Sequence, residues 1–345
     1  MSAPPLSLEP KAARRSGLPS RMQFPAAMAV LLAAVAVSLA FGGQPSTFSD
    51  LWHALVTPDS SAMDVTIREL RWPRTLNGLV AGACLGLAGA LTQGHTRNPI
   101  AEPGLLGINQ GAALAIVAVT ALSGPPLPFV EALLAFTGAL VTCSLVFALG
   151  SAARVGATPV TLVLSGAAVS FLAGGLVSGI VLLNEAALDT LRFWQVGSLV
   201  AREGVLDSVW PFVLAGAVLA AANIAPLNAL ALGEDNAVSL GVSVRRSRAL
   251  GIAGVTLLAG SAVTLAGPIA FAGLLVPHAA RAVAGADYRR LIPLSAVLGS
   301  ALVLFADTAG RLIARPGELS VGVVIAVVGA PLFIHLARRR RLVRL

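Results

Sequence analysis

Three arginines stand close together in the stretch RELRWPRTL, at positions Arg68, Arg71 and Arg74. Two more, Arg311 and Arg315, follow another long apolar run. A guanidinium group offers five N–H donors in a planar fork, which pairs well with carboxylates and phosphates. The pattern indicates either recognition of acidic groups on a partner or, as the alternative, attachment to lipid headgroups at a membrane surface.

Catalytic groups are scarce in this sequence. The one lysine, Lys11, precedes the first apolar run, so a G-x-x-x-x-G-K-[ST] phosphate-binding loop cannot form. The four histidines are not paired at metal-ligand spacing, and the motifs G-x-S-x-G and H-E-x-x-H do not occur. We therefore expect no enzymatic activity, no metal site and no cofactor, and any ATP-driven role needs a second polypeptide.

The composition is that of a membrane protein. Of the 345 residues, 56% are hydrophobic and only 12% are charged, whereas a soluble domain carries about 25% charged residues. The net charge of +8 does not indicate nucleic-acid binding, because the basic residues lie in short segments between apolar runs. We expect an all-α integral membrane protein in the lipid bilayer, because a backbone surrounded by lipid must satisfy its own hydrogen bonds.

Ten apolar runs approach the roughly 20 residues that a spanning helix needs. They lie at 24–41, 76–93, 105–122, 129–149, 160–183, 206–226, 248–266, 268–284, 292–310 and 321–337. An even number of spans puts both termini on one side, and the positive-inside rule makes that side the cytoplasm. The predicted organisation is a disordered basic tail at 1–23, one ten-helix domain at 24–337 and a basic tail at 338–345, in the inner membrane.

This topology gives the arginines an orientation. It places 17 of the 24 basic residues inside and seven outside, and Arg71, Arg74 and Arg311 belong to the outer group. Three arginines within seven residues, with more at a second outer end, favour an outward basic patch over isolated lipid contacts. Such a patch suits an acidic partner.

Two further segments differ from ordinary spans and connectors. Gly78, Gly82 and Gly86 recur every four residues, which predicts a groove for close helix packing. The longest cytoplasmic connection follows the sixth run, and Gly233 and Gly241 divide it into two short helical pieces, at 227–232 and 234–240. The second piece opens with acidic residues and offers an apolar face of Ala237, Val238 and Leu240. We interpret this connection as a docking surface.

Four separated stretches resemble one known family. They are RWPRTLNGLVAGACLGLAGALTQGHTRNPIAEPGLLGINQGAAL, ALGEDNAVSLGVSVRRSRALGI, GPIAFAGLLVPHAARAVAGADYRRLIPLSA and RPGELSVGVVIAVVGAPLFIHL. Over about residues 65–340, in order and spacing, they look like the permease subunits of bacterial ABC importers for iron–siderophores, haem and cobalamin. The resemblance implies ten spans, a second permease copy or paralogue, two cytoplasmic ATP-binding subunits and an extracytoplasmic substrate-binding protein.

The resemblance also implies roles for particular residues. Arg71, Arg74 and Arg311 match the arginines that grip acidic groups on the binding protein. The ATPase is expected to dock on Leu232, Gly233, Glu234, Asp235, Asn236, Ala237, Val238, Ser239, Leu240 and Gly241. The expected cargo is an iron–siderophore complex. Cobalamin or haem as cargo, and an ion-coupled secondary transporter of a different class, are the alternatives.

Overall fold

The computed structural model describes residues 19–42, 46–57, 59, 61–152, 158–315 and 317–338. Most of the tail expected at 1–23, and all but the first residue of the tail expected at 338–345, lie outside the described residues. Within the described ranges every regular element is a helix and no strand occurs. The expectation of an all-α chain is confirmed to that extent.

The described residues contain fifteen α-helices. In order they are α1 (Ser20–Ala40), α2 (Phe48–Val56), α3 (Ala62–Val65), α4 (Trp72–Thr96), α5 (Ile108–Ser123), α6 (Pro128–Ala152), α7 (Pro159–Leu183), α8 (Glu185–Gln195), α9 (Val205–Ala222), α10 (Ile224–Leu230), α11 (Glu234–Ser239), α12 (Val244–Ala266), α13 (Ala272–Ala284), α14 (Tyr288–Ile313) and α15 (Val321–Arg338). A π-helical turn, Thr66–Arg71, joins α3 to α4, and a 3-10 turn, Pro103–Leu106, precedes α5.

Seven segments of the described chain are long and apolar enough to cross a membrane. They are α1, the continuous stretch from α3 through α4, and α6, α7, α9, α12 and α14. The apolar helices α5 and α15 are shorter, and α13 has only 13 residues. Each of the ten runs identified in the sequence overlaps at least one of these helices.

The centre of the bundle is formed by α4, α12 and α14, whose residues are mostly buried, whereas few residues of α1, α7 and α9 are buried. The three glycines of the predicted groove, Gly78, Gly82 and Gly86, lie on the side of α4 that faces α14. A Cβ added at Gly82 or Gly86 would overlap the carbonyl oxygen of Gly299 or Ser295, and one at Gly78 would overlap the Leu304 side chain. Only a residue without a side chain permits this separation of the two helix backbones.

The structure divides one predicted run and shortens another at its start. The run at 206–226 is divided, because α9 ends at Ala222 and a separate short helix, α10, follows. The run at 268–284 becomes helical only at Ala272. Pro268 has no backbone N–H to donate, and the left-handed Gly267, with a φ of 69°, ends α12 before it.

A carboxylate from another part of the chain supports the start of α13. Phe271, which precedes this helix, also has a positive φ, of 65°. Its N–H donates to Oε1 of Glu102 at 2.6 Å. The first N–H groups of a helix have no partner within it, so an acceptor at this position stabilises α13 and ties it to the α4–α5 connection.

Candidate functional site

Arg74 lies in the first turn of α4 and is bonded to two carboxylates. Its Nε donates to Oδ1 and Oδ2 of Asp307, at 3.1 and 3.0 Å, and its Nη2 donates to Oδ1 at 2.8 Å. Its Nη1 donates to Oε2 of Glu318 at 2.7 Å. Asp307 belongs to α14 and Glu318 to the segment before α15, so this one side chain joins three parts of the fold.

Arg311, on α14, is bound to the same Asp307 and to the end of α1. Its Nε lies 3.0 Å from Oδ2 of Asp307, one turn earlier in the helix. Its Nη1 donates to the carbonyl oxygens of Ser38 and Phe41, at 3.2 and 2.9 Å, and its Nη2 donates to the hydroxyls of Ser38 and Thr308, both at 3.1 Å. One carboxylate therefore serves two guanidinium groups.

Arg71 has a similar position at the end of α1. Its Nη1 donates to the carbonyl oxygens of Leu39 and Ala40, at 2.8 and 3.1 Å, and to the Ser46 hydroxyl at 2.7 Å. Arg315 donates in the same region, to the carbonyl oxygen of Gly42. The last carbonyl groups of a helix lack partners within it and carry partial negative charge, so cations stabilise them.

We call Arg71, Arg74, Asp307, Arg311 and Glu318 the outer cluster. A cleft of about 430 Å³ opens over it and is also lined by Gly42, Thr66, Glu69, Leu70, Val200 and Ala201. The side chains of the outer cluster differ in exposure: Arg71 is 4% exposed and Arg311 2%, whereas the side chains of Arg74 and Glu318 are 13% and 41% exposed. Arg74 and Glu318 are therefore its most accessible members.

The structure brings the three arginines of the predicted docking patch together, but not as a free basic surface. Each donates to a partner within the chain. The acidic partners Asp307 and Glu318, which lie 233 and 244 positions after Arg74, were not predicted from the sequence. For Asp307 a signal was available, because it precedes Arg311 by four residues and such pairs face each other on a helix.

The second candidate region is the elbow, which we define as residues 224–241. It comprises α10 and α11, so its helical pieces are Ile224–Leu230 and Glu234–Ser239 rather than 227–232 and 234–240. The two predicted glycine boundaries have positive φ, of 108° at Gly233 and 81° at Gly241. This left-handed conformation is one that glycine adopts without a steric penalty.

The elbow exposes three large apolar side chains, Leu232, Val238 and Leu240. Ala237, which we expected on the same face, is fully buried instead. Glu234, at the start of α11, forms an ion pair with Arg248 of α12. The remaining residues expected to meet the ATPase, Asp235, Asn236 and Ser239, are at least partly exposed on α11.

One group of side chains among the described residues has the composition of a metal site. His53, Asp59 and Asp64 place ligand atoms within 4.8 Å of one another. Asp64 is already satisfied, because its Oδ2 lies 3.2 Å from Nδ1 of His53 and accepts the Asp59 N–H at 2.7 Å. The N–H of Ser61 lowers the pKa of Asp59. These hydrogen bonds explain why the three side chains lie together at the connection between α2 and α3.

The sequence as a whole matches a family described as the FecCD transport family, over residues 30–339. The chain is 45% identical over 318 residues to the ferric enterobactin transport system permease protein FepD of Escherichia coli (strain K12), covering 92% of this chain and 95% of the relative. It is 36% identical to the Fe(3+)-citrate import system permease protein YfmD of Bacillus subtilis (strain 168), covering 95% and 98%.

A solved structure also matches the fold. It is described as a putative metal-chelate type ABC transporter in an inward-facing conformation, and it is 26% identical to this chain with a TM-score of 0.78. The alignment covers 92% of this chain and 99% of that one. With nearly full-length agreement in both sequence and structure, this multi-pass inner-membrane protein belongs to the FecCD transport family of ABC importer permeases.

Proposed function

We propose that this chain is the membrane-spanning subunit of an ATP-driven importer that moves an iron–siderophore complex into the cytoplasm. The observation that carries the proposal is the 45% identity to the ferric enterobactin permease over nearly the whole of both chains. The ten helices that match the predicted runs support ten spans, one domain over residues 24–337 and both termini in the cytoplasm. A second permease, identical or paralogous, completes the path across the bilayer.

The elbow is the proposed site for the ATP-binding subunits, two of which serve the pair of permeases. Leu232, Val238 and Leu240 expose apolar surface at the loop between the proposed sixth and seventh spans. Exposed apolar side chains on a polar loop favour burial against a protein partner. ATP hydrolysis belongs to those subunits, because the sequence lacks a phosphate-binding lysine loop.

The outer cluster is the proposed site for the substrate-binding protein. Arg74 is its most accessible arginine, and in this chain its Nη1 is already bonded to Glu318. An acidic group on the binding protein competes with Glu318 for this nitrogen. Arg71 and Arg311 contribute positive potential rather than extending into solvent. Arg71 holds the end of α1 against the start of α4, and Arg311 holds it against α14.

Import proceeds by alternating access in this proposal. ATP binding draws the two ATPases together and moves the elbows, and the helices rearrange so that the path opens on one face while it closes on the other. A ligand shifts such an equilibrium only by binding the two states differently. The binding protein at the outer cluster and ATP at the ATPases therefore both act on the same pair of states.

The test is uptake into vesicles that contain the permease pair and its ATPases, with the binding protein outside and ATP inside. We expect ferric siderophore to accumulate only when all components and ATP are present, and to continue when an ionophore removes the proton gradient. Cobalamin and haem, offered with the same components, identify the alternative cargoes. Accumulation by the chain alone, driven by an ion gradient, would contradict the proposal and favour a secondary transporter.

A further inference from the structure

The elbow is hydrogen-bonded to the start of α14 through the side chain of Asn228 of α10. Its Nδ2 donates to Oδ1 of Asp287 at 2.9 Å, and its Oδ1 accepts the backbone N–H of Tyr288 at 2.9 Å. Both the amide nitrogen and the amide oxygen of Asn228 therefore take part in hydrogen bonds. In the part of the chain that the structure describes, these two hydrogen bonds join α10 to the beginning of α14.

The position that Asn228 contacts is the N-terminal cap of α14. Asp287 accepts the N–H of Arg289 at 3.0 Å, and this bond together with the Asn228 amide lowers the pKa of the Asp287 carboxyl group. A charged carboxylate at a helix N-terminus is favoured by the helix dipole. Asn228 thus binds the rigid first turn of the helix, not a free loop.

An apolar contact next to this amide adds to the attachment. Leu227, the residue before Asn228, is buried, and so is Tyr288. Both side chains lie against Gly94 near the cytoplasmic end of α4, where an added Cβ would overlap each of them. Displacement of α10 is therefore opposed by contacts with two of the three central helices, α4 and α14.

The other end of α14 carries Asp307 and Arg311 of the outer cluster. The helix has 26 residues, which at 1.5 Å per residue is about 39 Å. Pro293 lies near its beginning, and no further proline follows before Ile313. Because α14 packs directly on the glycines of α4, one well-supported helix extends from the elbow to the outer cluster.

We propose that Asn228 is the positioning residue that passes movement of the elbow to α14, and through this helix to the outer cluster. The inference rests on the proposed function. It assigns the residue a role in coupling ATP hydrolysis to transport, separate from the apolar side chains on which the ATPase docks. Loss of the amide leaves the docking side chains in place and removes the polar link behind them.

Three variants test this role in the complete reconstituted importer. Asn228→Leu removes both hydrogen bonds at similar volume, and Asn228→Asp places a second carboxylate against Asp287. The double variant Asn228→Asp/Asp287→Asn restores the pair with donor and acceptor exchanged, because the amide now at position 287 donates to the carboxylate now at position 228. Asn184→Leu is the matched control, since Asn184 accepts the Ala187 N–H as the cap of α8.

The main measurement is the amount of siderophore imported per ATP hydrolysed. We expect both single variants to lower this ratio at least several-fold, the double variant to recover most of it, and the control to match the wild type. A second measurement is the affinity of the binding protein with and without ATP. Coupling between two sites is reciprocal, so this ATP-dependent difference should shrink in Asn228→Leu.

The results that would contradict this inference can be told apart from failure of the proposed function. An unchanged ratio in both single variants overturns the inference. Loss of the ATPase from the purified complex, or hydrolysis and transport falling in proportion, also overturns it, because Asn228 then only supports docking. If the wild-type complex imports nothing with ATP, the proposed function itself fails, and that result appears before any variant is made.

Discussion

At the scale of single residues, the outer cluster is governed by the cost of placing several positive charges close together. A buried guanidinium without a partner is strongly unfavourable, and removing one member of a buried pair costs about 3–5 kcal/mol. Asp307 meets this requirement for both Arg74 and Arg311. The partly exposed Glu318 is bonded less extensively, so it is the member that a partner can replace.

This difference gives a prediction for binding-protein docking. Glu318→Gln removes a competing negative charge from Arg74, and we expect affinity to rise about two- to five-fold, the range of an exposed ion pair. Arg74→Gln should weaken docking. Both effects should be larger at low ionic strength, because salt screens exposed charges. Affinity is measured with purified binding protein and permease in lipid nanodiscs.

The control for these charge changes is Arg192→Gln. Arg192 lies on α8, and among the described residues its ion-pair partner is the exposed Asp189. We expect its loss to leave affinity within about two-fold of the wild type, because an exposed pair of this kind contributes little. If Glu318→Gln weakens docking as much as Arg74→Gln does, Glu318 is a direct contact and the displacement account is wrong.

The sequence predicted the arginines of the outer cluster but not the side chains that surround them. The arginines of the outer cluster were found from their types and their neighbouring apolar runs. Their partners were not, because the carboxylates are brought to Arg74 only by the packing of α14 against α4, across more than two hundred residues. The burial of Arg71 depends in the same way on where α1 ends.

At the scale of elements, the spacing of α4 and α14 is set by glycine. Gly86→Ala should destabilise the protein by about 1–3 kcal/mol, the usual cost of overpacking, because the added Cβ overlaps a backbone carbonyl that cannot rotate away. Gly175→Ala, on α7, is the control, since nothing lies within 4 Å of its added Cβ. Thermal unfolding in detergent compares the two, and equal losses would contradict this account.

The carboxylate at the start of α13 gives a prediction with a pH dependence. Burial raises the pKa of Glu102, although the Phe271 N–H opposes this effect. A raised pKa means that folding disfavours the ionised form, so this residue's contribution to stability is highest in acid and falls as pH rises through the folded-state pKa. Glu102→Gln keeps an acceptor for the Phe271 N–H and removes the charge.

We therefore expect Glu102→Gln to unfold at a higher temperature than the wild type above neutral pH, with the difference shrinking as pH falls. Glu102→Leu provides the comparison, because it leaves a helix N–H without an acceptor and should lose about 1–3 kcal/mol at every pH. A Gln variant less stable than the wild type at alkaline pH would show that the charge itself supports α13.

The existence of the helices was predictable, and their interruptions were less so. Long apolar runs identify helices because lipid leaves no other way to satisfy a backbone. The division at Asn223 and the late start of α13 depend on contacts from elsewhere, such as that between Glu102 and Phe271. The elbow glycines were recognised because a positive φ leaves a clear preference in the sequence.

At the scale of the whole molecule, the exposed surface is as informative as the core. The outer helices α7 and α9 present large apolar side chains such as Leu164, Phe171 and Trp210. In water these surfaces would associate, whereas in a bilayer they can contact lipid or a second subunit. The sequence predicts that this surface is apolar. Which parts of it contact lipid and which contact another subunit depends on the assembly.

The length of α14 has a further consequence for how this protein can change. Each residue of an α-helix turns the chain by about 100°, so inserting or deleting a single residue between Pro293 and Asp307 would rotate one end of the helix away from its neighbours. Substitutions that keep an apolar side chain are compatible with this helix, but changes in residue count are not. We therefore expect α14 to tolerate changes in composition better than changes in length.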